Sequence, residues 1–359
     1  MAQTMILPGT YVEVLAEGLI APSGVPTGNI GIVGTASQGA ENEVQLVSSL
    51  SEAKEIFGES DEWQGGEQGE LTLVRALELI YKNGGQTVYA VRTSGATTEA
   101  YKHSLELLEN KSVNIVVLAG QDANQGEMVN ALKGHLTNTA GIKRERIGII
   151  GSGFTNGKDD FAQISGHKLS DDEGRLILSA PGILMTAQGK QHKLPGGYLA
   201  AAIAGLIASL NVQASPTNKT LSIEGIATEF NSAQLQQLVQ KKVLTVEARS
   251  GYRIVKGITT ADSPWNQITT RRIVDYAIYG VRSSCDPYIG KLNNDRVRGA
   301  MKATLDAFLT SMVDSEALVS YQLEVSATRQ QEITGQVAVK MILLPTFSID
   351  FIQVTMYLG

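Results

Sequence analysis

Asn29-Ile-Gly-Ile-Val-Gly34 is an apolar run of strand length that closes on glycine. No charged residue interrupts it, so a strand here needs cover on both faces, the situation of a parallel sheet between helices. The surrounding sequence supplies that cover. Ser51–Phe57 begins on a serine cap and reads as a short helix. Residues 71–83 set Leu73, Leu77 and Ile80 at helical spacing, and Asn83-Gly84-Gly85 stops the helix. Strands follow at 87–91, 114–118, 146–150 and 176–179, with helices at 98–109 and 125–138. The alanine-rich run 198–210 reads as a buried helix packed on the sheet. Short apolar strands alternating with helices predict an α/β domain with a largely parallel sheet.

From about residue 245 the pattern becomes α+β. It gives a strand at 252–255, helices at 270–283 and 294–313, and strands at 318–326 and 335–343. In 294–313, Val297, Met301, Leu305, Phe308 and Met312 form the apolar side, while Arg298 and Lys302 sit four apart on another face. Both chain ends read as strands. Near the start, Tyr11 and Glu13 alternate with Val12 and Val14, ahead of Leu15. At the end, Phe347, Ile349 and Phe351 share one parity, and Ile352, Val354, Met356 and Leu358 take the other. A one-residue switch of face implies a bulge or a change of partner. We expect a change of partner, with residues before 351–352 belonging to the domain and those after it to a neighbour. The predicted division is an N-terminal arm over 1–20, an α/β body over 21–244, an α+β C-terminal domain over 245–346 and a C-terminal strand arm over 347–359.

With 43% hydrophobic and 18% charged residues, the 359-residue chain has the composition of a globular protein and not of a disordered one. A single cysteine, Cys285, excludes an internal disulfide. The start has no basic region followed by an apolar core, so no signal peptide is expected and assembly in the cytoplasm is. The longest apolar run is too short to cross a bilayer, and no membrane insertion is expected. Charge is unevenly spread. Residues 1–53 contain no Lys or Arg, whereas 241–302 hold 12 basic and five acidic residues, a net +7 that leaves −13 for the rest. Two readings stay open: a basic face meeting an acidic partner, or charges paired within the domain. The bases form no run and no aromatic-basic pattern, so nucleic acid is not an expected partner.

Chemistry-bearing motifs are weak. Gly151-Ser-Gly-Phe-Thr-Asn-Gly157 follows a strand but has Asn156 where a dinucleotide fingerprint needs glycine, and Lys158 is followed by Asp159. Asp159-Asp160 and Asp171-Asp172-Glu173 lack the spacing of a calcium loop and read as solvated turns. His103, His135, His167 and His192 show no metal-ligand spacing; His103 and His135 fall on helices as ordinary surface or boundary residues. No catalytic, metal or cofactor site is expected, although a triad of distant residues forms only in space.

The same pieces resemble a family. Pro8-Gly-Thr-Tyr-Val-Glu13, Gly31–Ala36, Asn83–Arg92, Leu199–Ile207, Ser215–Lys219, Tyr252–Thr260 and Arg271–Tyr276 are similar, in order and spacing, to the sheath proteins of contractile phage tails, R-type bacteriocins and related injection systems. The resemblance implies a subtilisin-like body lacking catalytic residues. Gly197 stands at the position of the attacking serine and Ala202 at a histidine position. Lys241-Lys242 departs from the family, many members of which have a glycine turn there.

What the resemblance implies is assembly without catalysis. Copies would join into a helical cylinder by lending Tyr11–Leu15 and Ile352–Leu358 to neighbouring sheets, then shorten around an inner tube. Expected partners are the chain itself, a tube protein, and baseplate and terminator proteins. Arg296, Arg298 and Lys302 are the expected tube contacts. The alternatives are an active or degenerate hydrolase-like α/β enzyme, and a binding module whose end strands complete its own fold.

Overall fold

The computed structural model describes residues 27–60, 71–187, 189–262 and 264–357. Of the candidate arm residues, Tyr11, Val12, Glu13, Val14, Leu15 and Leu358 lie outside the described residues. Two compact units are present: residues 27–268 with 350–357, and residues 269–349.

The first unit runs β1 (Ile30–Gly34), β2 (Val44–Val47), α1 (Leu50–Phe57), α2 (Leu73–Lys82), β3 (Val88–Arg92), α3 (Thr98–Leu108), β4 (Ile115–Asp122), α4 (Gly126–Gly141) and β5 (Ile147–Gly151). A small ribbon, β6 (Phe154–Thr155) and β7 (Lys158–Asp159), precedes α5 (Phe161–Ser165) and β8 (Leu176–Ala180). Then come the hairpin β9 (Ile183–Ala187) and β10 (Lys190–Leu194), α6 (Gly196–Ser209), β11 (Thr220–Leu221), β12 (Gly225–Ile226), α7 (Ser232–Gln240), β13 (Val243–Ala248) and β14 (Tyr252–Ile254).

Nine of these strands form one sheet, ordered β11-β14-β13-β8-β5-β4-β1-β3-β2. The inner strands β3-β1-β4-β5-β8-β13 are parallel. Antiparallel strands finish both sides, β2 at one and β14 with β11 at the other. β1 sits inside the sheet, as its apolar run requires. Ile30 and Ile32 join the core made with Leu77, Ile80 and Ile203, and Val33 joins the opposite core with Leu105 and Leu132. Helices α1, α2 and α6 supply the first face, and α3, α4 and α7 the second.

Two local findings differ from the sequence reading. The strand at 252–254, grouped by sequence with the C-terminal domain, belongs to the large sheet, where it pairs antiparallel with β13 on one side and β11 on the other. Lys242 adopts φ 64°, the left-handed conformation that a glycine would take without cost, so the turn survives the departure from the family pattern.

The second unit contains α8 (from Ile268 to Cys285), α9 (Asp295–Asp314), β15 (Leu318–Ser326), α10 (Arg329–Ile333) and β16 (Ala338–Pro345). β15 and β16 make an antiparallel ribbon that packs on α9. Tyr321, Leu323, Val325, Val339, Met341 and Leu343 are its half-buried or buried side, and Gln322, Glu324, Lys340 and Ile342 are exposed. Residues 347–357, read from sequence as strand, carry no strand or helix assignment. A strand is defined by a partner's backbone, and among the described residues of the single chain none supplies one.

Candidate assembly surface

The chain order reverses at β1, the switch point beyond whose strand ends open α/β sheets place ligands. Here α6 fills that space. A Cβ on Gly151 would lie 1.8 Å from the carbonyl carbon of Gly196, and one on Gly197 would lie 2.3 Å from the Gln121 carbonyl oxygen. Glycine at these positions lets the helix start rest on the backbone of the strand ends. Gly197 therefore has no room for a side chain of any kind, and Ala202 is fully buried. The Gly151–Gly157 motif ends β5 and forms the β6–β7 ribbon, turned by Asn156 and Gly157 at φ 52° and 72°. No helix N-terminus follows the strand directly, as a phosphate cradle requires.

The acidic motifs serve the fold. Asp159 accepts the Gly182 N–H at 3.0 Å, and burial raises its carboxyl pKa. Asp160 caps α5. Asp171 accepts N–H groups from Arg175 and Leu176, and Glu173 pairs with Arg175 at 2.8 Å. A cavity of about 380 Å³ lies beside this loop, lined by Lys133, Asp171, Asp172, Glu173 and Arg175 among others. Its wall is mostly charged, unlike the apolar wall of a typical small-molecule site.

The strand edges are treated unequally. In the first unit they are short, with two residues in β11 and four in β2, or they carry lysine, as β10 does at Lys190 and Lys193. Short or lysine-bearing edges resist pairing with a foreign strand. The β15–β16 ribbon is different. It is nine and eight residues long and has no third strand among the described residues. β15 contains one charge, Glu324. A lone two-stranded ribbon is marginal in water and gains from added strands. Close to it in sequence lies a run of bare apolar side chains: Ile352, Val354 and Met356 are 82%, 72% and 85% exposed. Neither has a further strand partner among the described residues, and an exposed apolar segment of strand pattern is the kind that extends a ribbon edge.

The basic excess of 241–302 is largely consumed within the units. Lys242 pairs with Asp262, Arg249 with Glu247, Lys256 with Asp350, Arg271 with Asp275 and Arg298 with Glu332, and Arg272 is buried. Among the tube candidates, Arg296 and Lys302 are exposed on α9. Arg298 is not. It is 8% exposed, donates to Asn293 Oδ1 at 2.7 Å and pairs with Glu332 at 3.0 Å as well as with Asp295. The assignment of Arg298 as a tube contact is corrected. It precedes Met301 by three residues and Leu305 by seven, which puts it on the buried stripe of its helix.

Sequence reasoning also missed a buried cation. Arg146, fully buried at the start of β5, donates to the carbonyls of Leu108, Glu109 and Lys111 just after α3. Its Nη1 lies 3.1 Å from His135 Nε2. Burial, with this guanidinium beside it, pushes the His135 imidazole down to about 3, so the ring is a neutral acceptor. His135 is thus a core residue and not the surface or boundary residue expected.

Two family models match the chain: the phage tail sheath protein central domain over residues 94–260 and the phage tail sheath C-terminal domain over residues 260–359. A tail sheath relative from Enterococcus phage phiEF24C is 24% identical over 293 residues, covering 78% of this chain. The chain spans about half the length of that relative, 49%. Among solved structures, the PVC sheath complex of an extracellular contractile injection system, in the contracted state, superposes with a TM-score of 0.74 at 16% identity, covering 99% of this chain and 98% of that one. The contracted helical sheath of the anti-feeding prophage gives 0.73 at 16% identity, covering 99% of both. At this identity the likeness is one of fold.

Proposed function

This chain belongs to the phage tail sheath family, and we propose that it is the structural subunit of a contractile sheath. Copies polymerise into a helical cylinder around an inner tube, and its shortening drives the tube into a target envelope. The observation that carries this reading is the pairing of opposites among the described residues: a ribbon with no third strand and an exposed apolar tail with no sheet partner. Each copy lends its C-terminal strand, about Ile352–Leu358, and its N-terminal arm, about Tyr11–Leu15, to the ribbons of adjoining copies. Backbone hydrogen bonds give the affinity and alternate side chains the register. A head-to-tail contact that does not close on itself generates a filament. The functional division is an N-terminal arm over 1–20, a subtilisin-like body, a C-terminal domain and a strand arm over 347–359.

The body is read as non-catalytic. A filled switch-point crevice and a glycine without side-chain room at the nucleophile position support this. Work is done by free energy stored in a metastable extended polymer, released when bodies rotate and bury more mutual surface. Further partners are baseplate and terminator proteins, with assembly in the bacterial cytoplasm. Arg296 and Lys302 face the tube.

Deleting residues 352–359 tests the reading. The truncated chain should remain folded by circular dichroism and elute as a monomer, while the full chain forms hollow cylinders in negative stain. Cylinders from the truncated chain would refute strand lending by the tail.

A further inference from the structure

We propose that Lys256 and Asp350 form the fixed root from which the C-terminal strand leaves its own body. The inference rests on the strand-lending reading and names residues that position the lent strand.

Along the tail, Asp350 is shielded between two exposed neighbours. The Asp350 side chain is 10% exposed, between Ile349 at 80% and Phe351 at 84%. Lys256 Nζ lies 3.1 Å from Asp350 Oδ2, and its own side chain is 21% exposed. Gln267 Nε2 donates to the same carboxylate oxygen at 3.4 Å. The Lys256 ammonium also lies 5.0 Å from the centroid of the Phe351 ring, within reach of a cation–π contact.

The holder of this contact is rigid. Lys256 follows β14, and the backbone around it is tied on both sides. Val255 N–H donates to the Thr245 carbonyl at 2.8 Å, and Gly257 N–H to Thr217 Oγ1 at 3.0 Å. Gln267 lies opposite Ile258 in an isolated bridge. A mobile surface pair between two long side chains would gain little. This one joins a short carboxylate to a lysine on fixed backbone, shielded enough that salt screens it weakly. Losing either partner leaves the other charge desolvated and uncompensated.

The consequence is geometric. Residues 352–357, beyond the Phe351 contact, are exposed. These six span about 20 Å when extended, at roughly 3.3 Å each. The root sets where that reach begins.

The test uses the full chain with Asp350→Asn, Lys256→Met and the exchanged pair Lys256→Asp with Asp350→Lys. Hydrogen exchange on the unassembled protein reads the root, and sedimentation reads the critical concentration for polymer. In the unaltered protein, slowed exchange should end at residues 350–351. Asp350→Asn should release it and raise the critical concentration about tenfold or more, and the exchanged pair should recover most of the loss. Lys256→Met is scored in the same way should Asp350→Asn fail to fold. Folded single variants with unchanged tail exchange, or with an unchanged critical concentration, would overturn the root. Cylinders from the chain truncated at 352 would overturn strand lending itself, so the two failures are distinct.

Discussion

At the scale of single residues, the informative positions are those where backbone meets backbone. Gly197→Ser would restore a hydroxyl at the nucleophile position of the resemblance. The added Cβ falls 2.3 Å from the Gln121 carbonyl oxygen, and neither partner is a side chain that can move aside. We expect a loss of about 3 kcal/mol in urea unfolding and no hydrolysis of activated esters. Arg146 is the second such position. Arg146→Met would orphan carbonyl acceptors after α3, each worth about 1–3 kcal/mol when buried, so the melting temperature should drop sharply. His135 makes this region pH-sensitive. Its folded pKa, about 3, lies below the ordinary imidazole value of 6.5. The unfolded chain therefore binds the extra proton between those values. Stability from this site is complete above pH 6.5 and is lost as pH falls toward 3, on the order of a few kcal/mol. Thermal melts of His135→Gln across that range should show a flatter profile than the unaltered chain. The Arg146–His135 pair was not legible in the sequence. A lone His and a lone Arg carry no spacing signal, and burial decided between surface and core.

At the scale of elements, periodicity worked where one long element makes its own pattern. The helices at 98–108, 126–141 and 295–314 and the inner strands fall near their predicted bounds, because apolar spacing is set by the faces they bury. The reading failed where tertiary pairing defines the element. Strand β13, the β9–β10 hairpin and the place of β14 in the large sheet depend on which strand lies next to them. Arg298 belongs to the same lesson: the stripe through Met301, Leu305, Phe308 and Met312 passes under it, but its charge assigned it to the surface. Two variants of α9 separate the roles. Arg298→Gln breaks the links from α9 to Asn293 and to Glu332 of α10, so it should lower the melting temperature of the chain. Arg296→Glu with Lys302→Glu should leave melting unchanged and weaken association with the inner tube, more so at low salt. Unchanged tube binding by the second variant would remove these two residues from the tube-facing surface.

At the scale of the whole molecule, the chain is organised around what it lacks. The large sheet ends in the short strands β11 and β2, and its ligand crevice is filled by helix backbone. Among the described residues, the long ribbon of the second unit has no third strand, and the tail displays apolar side chains to solvent. On the proposed reading, identical copies complete these surfaces. Sequence alone exposed the tail's parity switch near 351–352, and the structure pins the tail at Asp350, one residue earlier. The β15–β16 ribbon was legible only as two strands, since an open edge is a property of arrangement. The most direct measurement is a helical reconstruction of the polymer by cryo-electron microscopy. It should contain a strand hydrogen-bonded to the β15–β16 ribbon and continuous with Asp350 of an adjacent copy. A ribbon whose edges stay empty, or are filled by the chain's own residues 351–357, would contradict the strand lending on which this assembly depends.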